Sequence, residues 1–93
     1  MSMNMMKTPK EFGMEIAANL KKLRKLRKLS QKALAEKAGI SYGSMKRFEQ
    51  TGEISLESLL KIAVVLGETA PFEAIFKPIQ IKSIQEIING NCD

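Results

Sequence analysis

The chain has no histidine and no tryptophan, and only one cysteine, one tyrosine and three prolines in 93 residues. These absences exclude a good deal. Without His, and with a single Cys, the side chains that usually build zinc sites, acid/base relays and disulfide frameworks are missing. No catalytic, metal or cofactor site is therefore expected, and the chain is read as not an enzyme. No apolar run of about 18 residues or more exists, so no span of a membrane is expected. The start (Met1, Met3, Met5, Met6) has neither a long apolar core nor an A-x-A-like cleavage site, which reads as a chain that stays cytoplasmic. Cys92, near the C-terminus and without a base beside it in sequence, suits a reducing compartment and reads as an inert thiol.

What is present is mostly helix-forming and basic. Hydrophobic residues make up 44% and charged residues 27%, enough for one small domain with one core. Fifteen Lys and Arg against ten Asp and Glu give +5, unevenly spread. Residues 1–50 hold 12 basic and 4 acidic side chains, and residues 51–93 hold 3 basic and 6 acidic. A lopsided basic chain points to a polyanionic partner.

The punctuation predicts five helices. Thr8-Pro9-Lys10-Glu11 combines an N-cap hydroxyl, a proline whose missing N–H is harmless in the first turn, and a Glu that caps back. A first helix follows over about 9–28, with Phe12, Ile16, Leu20 and Leu23 on one face and Leu26 beside it. Its end carries Lys21, Lys22, Arg24, Lys25, Arg27 and Lys28, favourable near the negative end of the helix dipole. Ser30 caps a second helix, Gln31 to about Ala38, whose buried side is Ala33 and Leu34 with Ala35 and Ala38, and Gly39 stops it. Ser41 caps a third, with Met45 and Phe48 as its apolar stripe, which Thr51-Gly52 breaks. Ser55 opens a fourth, with Leu56, Leu59, Leu60, Ala63, Val64 and Leu66 expected to face the core and Gly67 closing it. Pro71 starts a short fifth with Phe72, Ile75 and Phe76. Residues 79–81 alternate as a strand would, needing a partner such as a second subunit, and Ser83-Ile84-Gln85-Glu86 is another capping box.

Two short helices joined by a few residues with a Gly form a helix-turn-helix pattern. The spacing of Gln31, Leu34, Ala35, Gly39, Ile40, Met45 and Phe48 gives each position a reason. Ala35 is small where two helices cross closely, Gly39 takes the positive φ of a sharp turn, and Met45 and Phe48 hold the third helix against the first and fourth. Outward on the third helix remain Ser41, Tyr42, Gly43, Ser44, Lys46, Arg47 and Gln50, none of them acidic.

The run Leu29 to Ser41, the Phe48-Glu49 pair and the segment Ser55 to Ala63 resemble the Xre/Cro/C1-type helix-turn-helix family, the group containing the small phage repressors. The resemblance covers about residues 10–76. It implies an all-α, five-helix, lambda-repressor-like bundle. The DNA-binding domain is expected over residues 8–76, with a flexible arm at 1–7 and a C-terminal extension at 77–93 available to a dimer or another partner. The resemblance also implies a transcriptional regulator, a repressor acting as a homodimer on a palindromic operator in double-stranded DNA, without cofactor or catalysis. The implied DNA-binding residues are Gln31, Ser41, Tyr42, Gly43, Ser44, Lys46, Arg47 and Gln50. Gln31 matches a phosphate-holding position. Tyr42, Gly43, Lys46 and Ser41 match positions facing base edges, and Ser44, Arg47 and Gln50 match positions nearer the DNA backbone. Lys46 is the best direct reader, since a lysine bonds guanine O6 and N7. Arg24 and Glu49 match a pair that ties the first helix to the third.

Two features depart from the family pattern. Gly43 stands where a long polar side chain is common, and Glu53 places an acid in a loop that is often basic. Plainer readings stand beside these: Lys21 to Lys28 as a solvated face that steers rather than clamps, Tyr42 as an ordinary exposed aromatic, and Gln31 as a helix-start residue. A membrane-surface helix is disfavoured because Leu23, Leu26 and Leu29 are needed for the core. The alternative function is an antitoxin, similar to the HipB type, that binds a toxin protein and autoregulates its operon.

Overall fold

The computed structural model describes residues 7–79, which form five helices: α1 (Pro9–Leu26), α2 (Gln31–Ala38), α3 (Tyr42–Thr51), α4 (Leu56–Leu66) and α5 (Ala70–Ala74). The expected arm at 1–7, except Lys7, lies outside the described residues. So do the expected strand at 79–81, except Ile79, the capping box at 83–86, and Cys92. Ile79 itself is exposed and carries no secondary structure.

Four helices begin on the side chains that the sequence offers. Thr8 accepts from the Glu11 N–H while the Thr8 N–H donates to the Glu11 carboxylate, so two orphan donors are satisfied reciprocally. The backbone N–H of Thr8 and its hydroxyl hold the Glu11 carboxyl below its ordinary pKa. Ser30, Ser41 and Ser55 each accept from the backbone N–H three residues on.

The ends are equally local, with one surprise. Gly39 and Gly67 are left-handed, and the N–H after each reaches back five residues, from Ile40 to Ala35 and from Glu68 to Ala63. The end of α1 has the same hydrogen-bond pattern, Leu29 N–H to the Arg24 carbonyl and Lys28 N–H to the Lys25 carbonyl, but Lys28 takes the left-handed position at φ 57°. The helix therefore stops two residues short of the expected 28.

α1 packs against α3, and α2 packs against both α3 and α4. Their shared core is Ala17, Leu20, Leu34, Ala35, Ala38, Met45, Phe48, Ile62 and Leu66, with Leu23, Leu29, Ile40, Ile54 and Leu59 packed against it. Burying side chains as large as Phe48, Leu34, Met45 and Ile62 contributes roughly 1.5–3 kcal/mol each. Ala35 is 2% exposed, as its small size at a helix crossing requires.

Several expected core positions lie elsewhere. Phe12 and Ile16, in the first half of α1, are about half exposed, and Lys7 stands 5.6 Å from the Phe12 ring centroid. Leu26, expected in the core, is 79% exposed in the last turn of α1. On α4 the buried stripe is Ile62, Ala63 and Leu66 with Leu59, while Leu56, Leu60 and Val64 lie outside it. That helix is apolar nearly all round, so its composition did not select a face. Phe72 is half-buried and lines a groove with Ile16, Leu20, Leu59 and Ile62; Ile75 borders the same groove but is exposed, and Phe76 is exposed outside it.

Candidate nucleic-acid interface

α3 is held from behind and left open in front. Met45 and Phe48 are within 1% of full burial, so the opposite face is fixed outward. Residues 42, 43, 46, 47 and 50 are all exposed and fall at helical spacing on that face.

The orientation of α3 is fixed by charge as well as by packing. Glu49 accepts from Arg24 through two parallel bonds, Nε to Oε2 at 2.8 Å and Nη2 to Oε1 at 2.9 Å. The third guanidinium nitrogen, Nη1, donates to the Leu29 carbonyl at 2.8 Å. Arg24 is 7% exposed, and α1, α3 and the α1–α2 turn are joined at its head. Gln31 adds α2: its amide Nε2 donates to Glu49 Oε1 at 2.8 Å. Burial pushes the Glu49 carboxyl up, but the hydrogen bonds from Arg24 and Gln31 and the charges of Arg24 and Lys21 outweigh it, so its pKa lies below the ordinary value. The bond to Glu49 holds Arg24 more firmly protonated, against the opposing effect of burial. Among the described residues, no buried side-chain N or O atom lacks a hydrogen-bond partner.

The eight site residues expected from sequence separate into three groups. Tyr42, Gly43, Lys46, Arg47 and Gln50 share the open face of α3, with the Lys46 ammonium 5.0 Å from the centroid of the Tyr42 ring. Ser41 and Ser44 sit at its start and bond each other: the Ser41 hydroxyl accepts from the Ser44 N–H at 3.0 Å and donates to the Ser44 hydroxyl at 2.8 Å. Gln31 stands on α2 and is hydrogen-bonded to α3 through Glu49. Gly43 has open space beside it: an added Cβ would meet only the Ser41 hydroxyl, at 3.9 Å.

Two arrangements were not read from the sequence. The first is a backbone contact between α1 and the end of α3, where a Cβ on Gly13 would lie 2.6 Å from the Gly52 carbonyl oxygen. A Gly inside an amphipathic helix is the only trace of it in the sequence. The second joins Arg47 to Glu53, Nη2 to Oε1 at 2.5 Å, with both side chains exposed. The six-residue separation across a turn hides this pair from helical spacing rules.

The described helices include none long and apolar enough to cross a membrane. No curated protein sequence matches the chain. A family model described as helix-turn-helix matches residues 20–72, from the middle of α1 to α5 and more than half of the chain. With its all-helical architecture and a capped, outward-facing α3 behind a glycine turn, the chain belongs to the Cro/C1-type helix-turn-helix family of DNA-binding regulators.

Proposed function

We propose that the chain is a transcriptional repressor that binds a palindromic operator in double-stranded DNA as a homodimer. Residues 8–76 form the DNA-binding domain in this reading, and the two copies of α3 enter successive major grooves about 34 Å apart. The observation that carries it is the open face of α3, which presents Tyr42, Gly43, Lys46, Arg47 and Gln50 with no acid of the helix itself among them, because Glu49 is turned inward to Arg24. Lys46 and Tyr42 read base edges, Ser41 and Gly43 allow close approach, and Gln31, Ser44, Arg47 and Gln50 position the backbone. Neither a cofactor nor a catalytic group takes part. The reading puts the chain in the cytoplasm, with the DNA it regulates.

A titration of duplex fragments from the protein's own promoter, followed by anisotropy at several salt concentrations, tests this. Binding should weaken steeply as salt rises, and a combined Lys46→Ala and Arg47→Ala change should remove it. Affinity indifferent to salt, or surviving the double change, contradicts the proposal.

A protein contact is favoured by a second observation. Leu56, Leu60 and Val64 form an exposed apolar strip along α4, where Val65 and Ala38 line the same groove. Such a strip suits a second copy of the chain, with residues 77–93 as a further contact. It equally suits the toxin partner of an antitoxin that represses its own operon. A neighbouring gene whose product co-purifies with the chain favours the antitoxin, and a homodimer alone in solution favours the simple repressor.

A further inference from the structure

Arg47 is one of two cations on the outward face of α3, yet the fold delivers an acid to it. The Thr51 hydroxyl donates to the Arg47 carbonyl at 2.7 Å and accepts from the Glu53 N–H at 3.1 Å. Gly52 between them is left-handed, at φ 78°, and its close contact with Gly13 leaves no space for a Cβ. The Glu53 backbone is thus fixed relative to α3, and its carboxylate returns to the Arg47 guanidinium, closing a ring of three hydrogen bonds over residues 47, 51 and 53. Lys46, by contrast, is held against an aromatic ring that carries no net charge.

From this ring we infer that Glu53 is a specificity-determining residue that holds Arg47 back from DNA phosphates met without a fitted site. The inference rests on α3 being the DNA-facing helix. A guanidinium already neutralised by a carboxylate displaces little of the counterion atmosphere, so random duplex gains almost nothing from Arg47. A phosphate exchanges for Glu53 only where the rest of the α3 face is engaged and presents it at bonding distance. The pair is exposed and therefore weak enough to be exchanged. Removing the charge at 53 should then raise affinity for random duplex more than for a fitted site, which lowers discrimination.

The measurement uses mixed-sequence duplex DNA, salt-titrated by anisotropy against the full chain, Glu53→Gln, Arg47→Ala and the double variant. Circular dichroism confirms that each is folded. Glu53→Gln should bind random duplex about fivefold more tightly at moderate salt, with the salt dependence steepened by about 0.9 in log–log slope. In the Arg47→Ala background the same change should gain less than about twofold, because Glu53 acts through Arg47. An equal gain in both backgrounds means that Glu53 merely repels phosphate through space, and overturns the inference. Unchanged binding by Glu53→Gln, with the unaltered chain binding DNA normally, overturns it as well but leaves the reading of α3 intact. Failure of the unaltered chain to bind any duplex removes both.

Discussion

Glu49 accepts three hydrogen bonds on two oxygens, and its removal strands a guanidinium that is 7% exposed. A buried charge without its partner is costly, so Glu49→Ala should destabilise the fold by about 3 kcal/mol in urea denaturation. The pair also fixes a pH dependence. The Glu49 pKa is lower in the folded chain than its ordinary value, so the unfolded chain binds more protons in the acid range. The contribution is complete above the ordinary carboxylate range and is lost as pH falls through the lowered value. Denaturation curves between neutral pH and about pH 3 should therefore lose stability more gently for Glu49→Ala than for the unaltered chain. On the open face, Lys46→Ala should relax base choice at one or two operator positions, whereas Gln31→Ala should weaken all duplexes alike, as parallel binding measurements on operator and altered sequences will show.

At the scale of elements, two glycines make opposite demands. Gly13 lies where α1 and the end of α3 touch through their backbones. Gly13→Ala gains about 1 kcal/mol of helix propensity but must push apart backbone that has no flexible end to yield. A net loss of about 2 kcal/mol is expected from thermal or urea unfolding. Gly43→Ala meets open space and should raise stability by about 0.5 kcal/mol. The sequence made α2 and α3 legible because each has both signals, a Ser before and a left-handed Gly after. The end of α1 was less legible, since Lys28 occupies the place where a Gly would have announced the turn. The buried face of α4 was only half legible: Leu59, Ala63 and Leu66 lie where expected, but Leu56, Leu60 and Val64 have the same apolar chemistry as the buried Ile62 and nothing in composition separates them. Arg24–Glu49 was legible only through family resemblance: 25 residues of separation carry no local signal.

For the whole molecule, the 12 basic and 4 acidic residues of the first half include most of the charge that steers the chain to DNA. The −3 half contains α4, whose apolar strip is where protein contact is proposed. Val64→Glu on that strip, at a position already 66% exposed, should leave the fold intact and shift sedimentation from dimer toward monomer. The most direct test of α3 as the reading surface is an amide chemical-shift map of the full chain titrated with an operator duplex. Shifts concentrated at residues 41–47 and at Gln31, with Leu56, Leu60 and Val64 unaffected at constant oligomeric state, are what the fold and the charge pattern predict. Shifts concentrated on the outer face of α4, with residues 41–47 unmoved, would contradict the account.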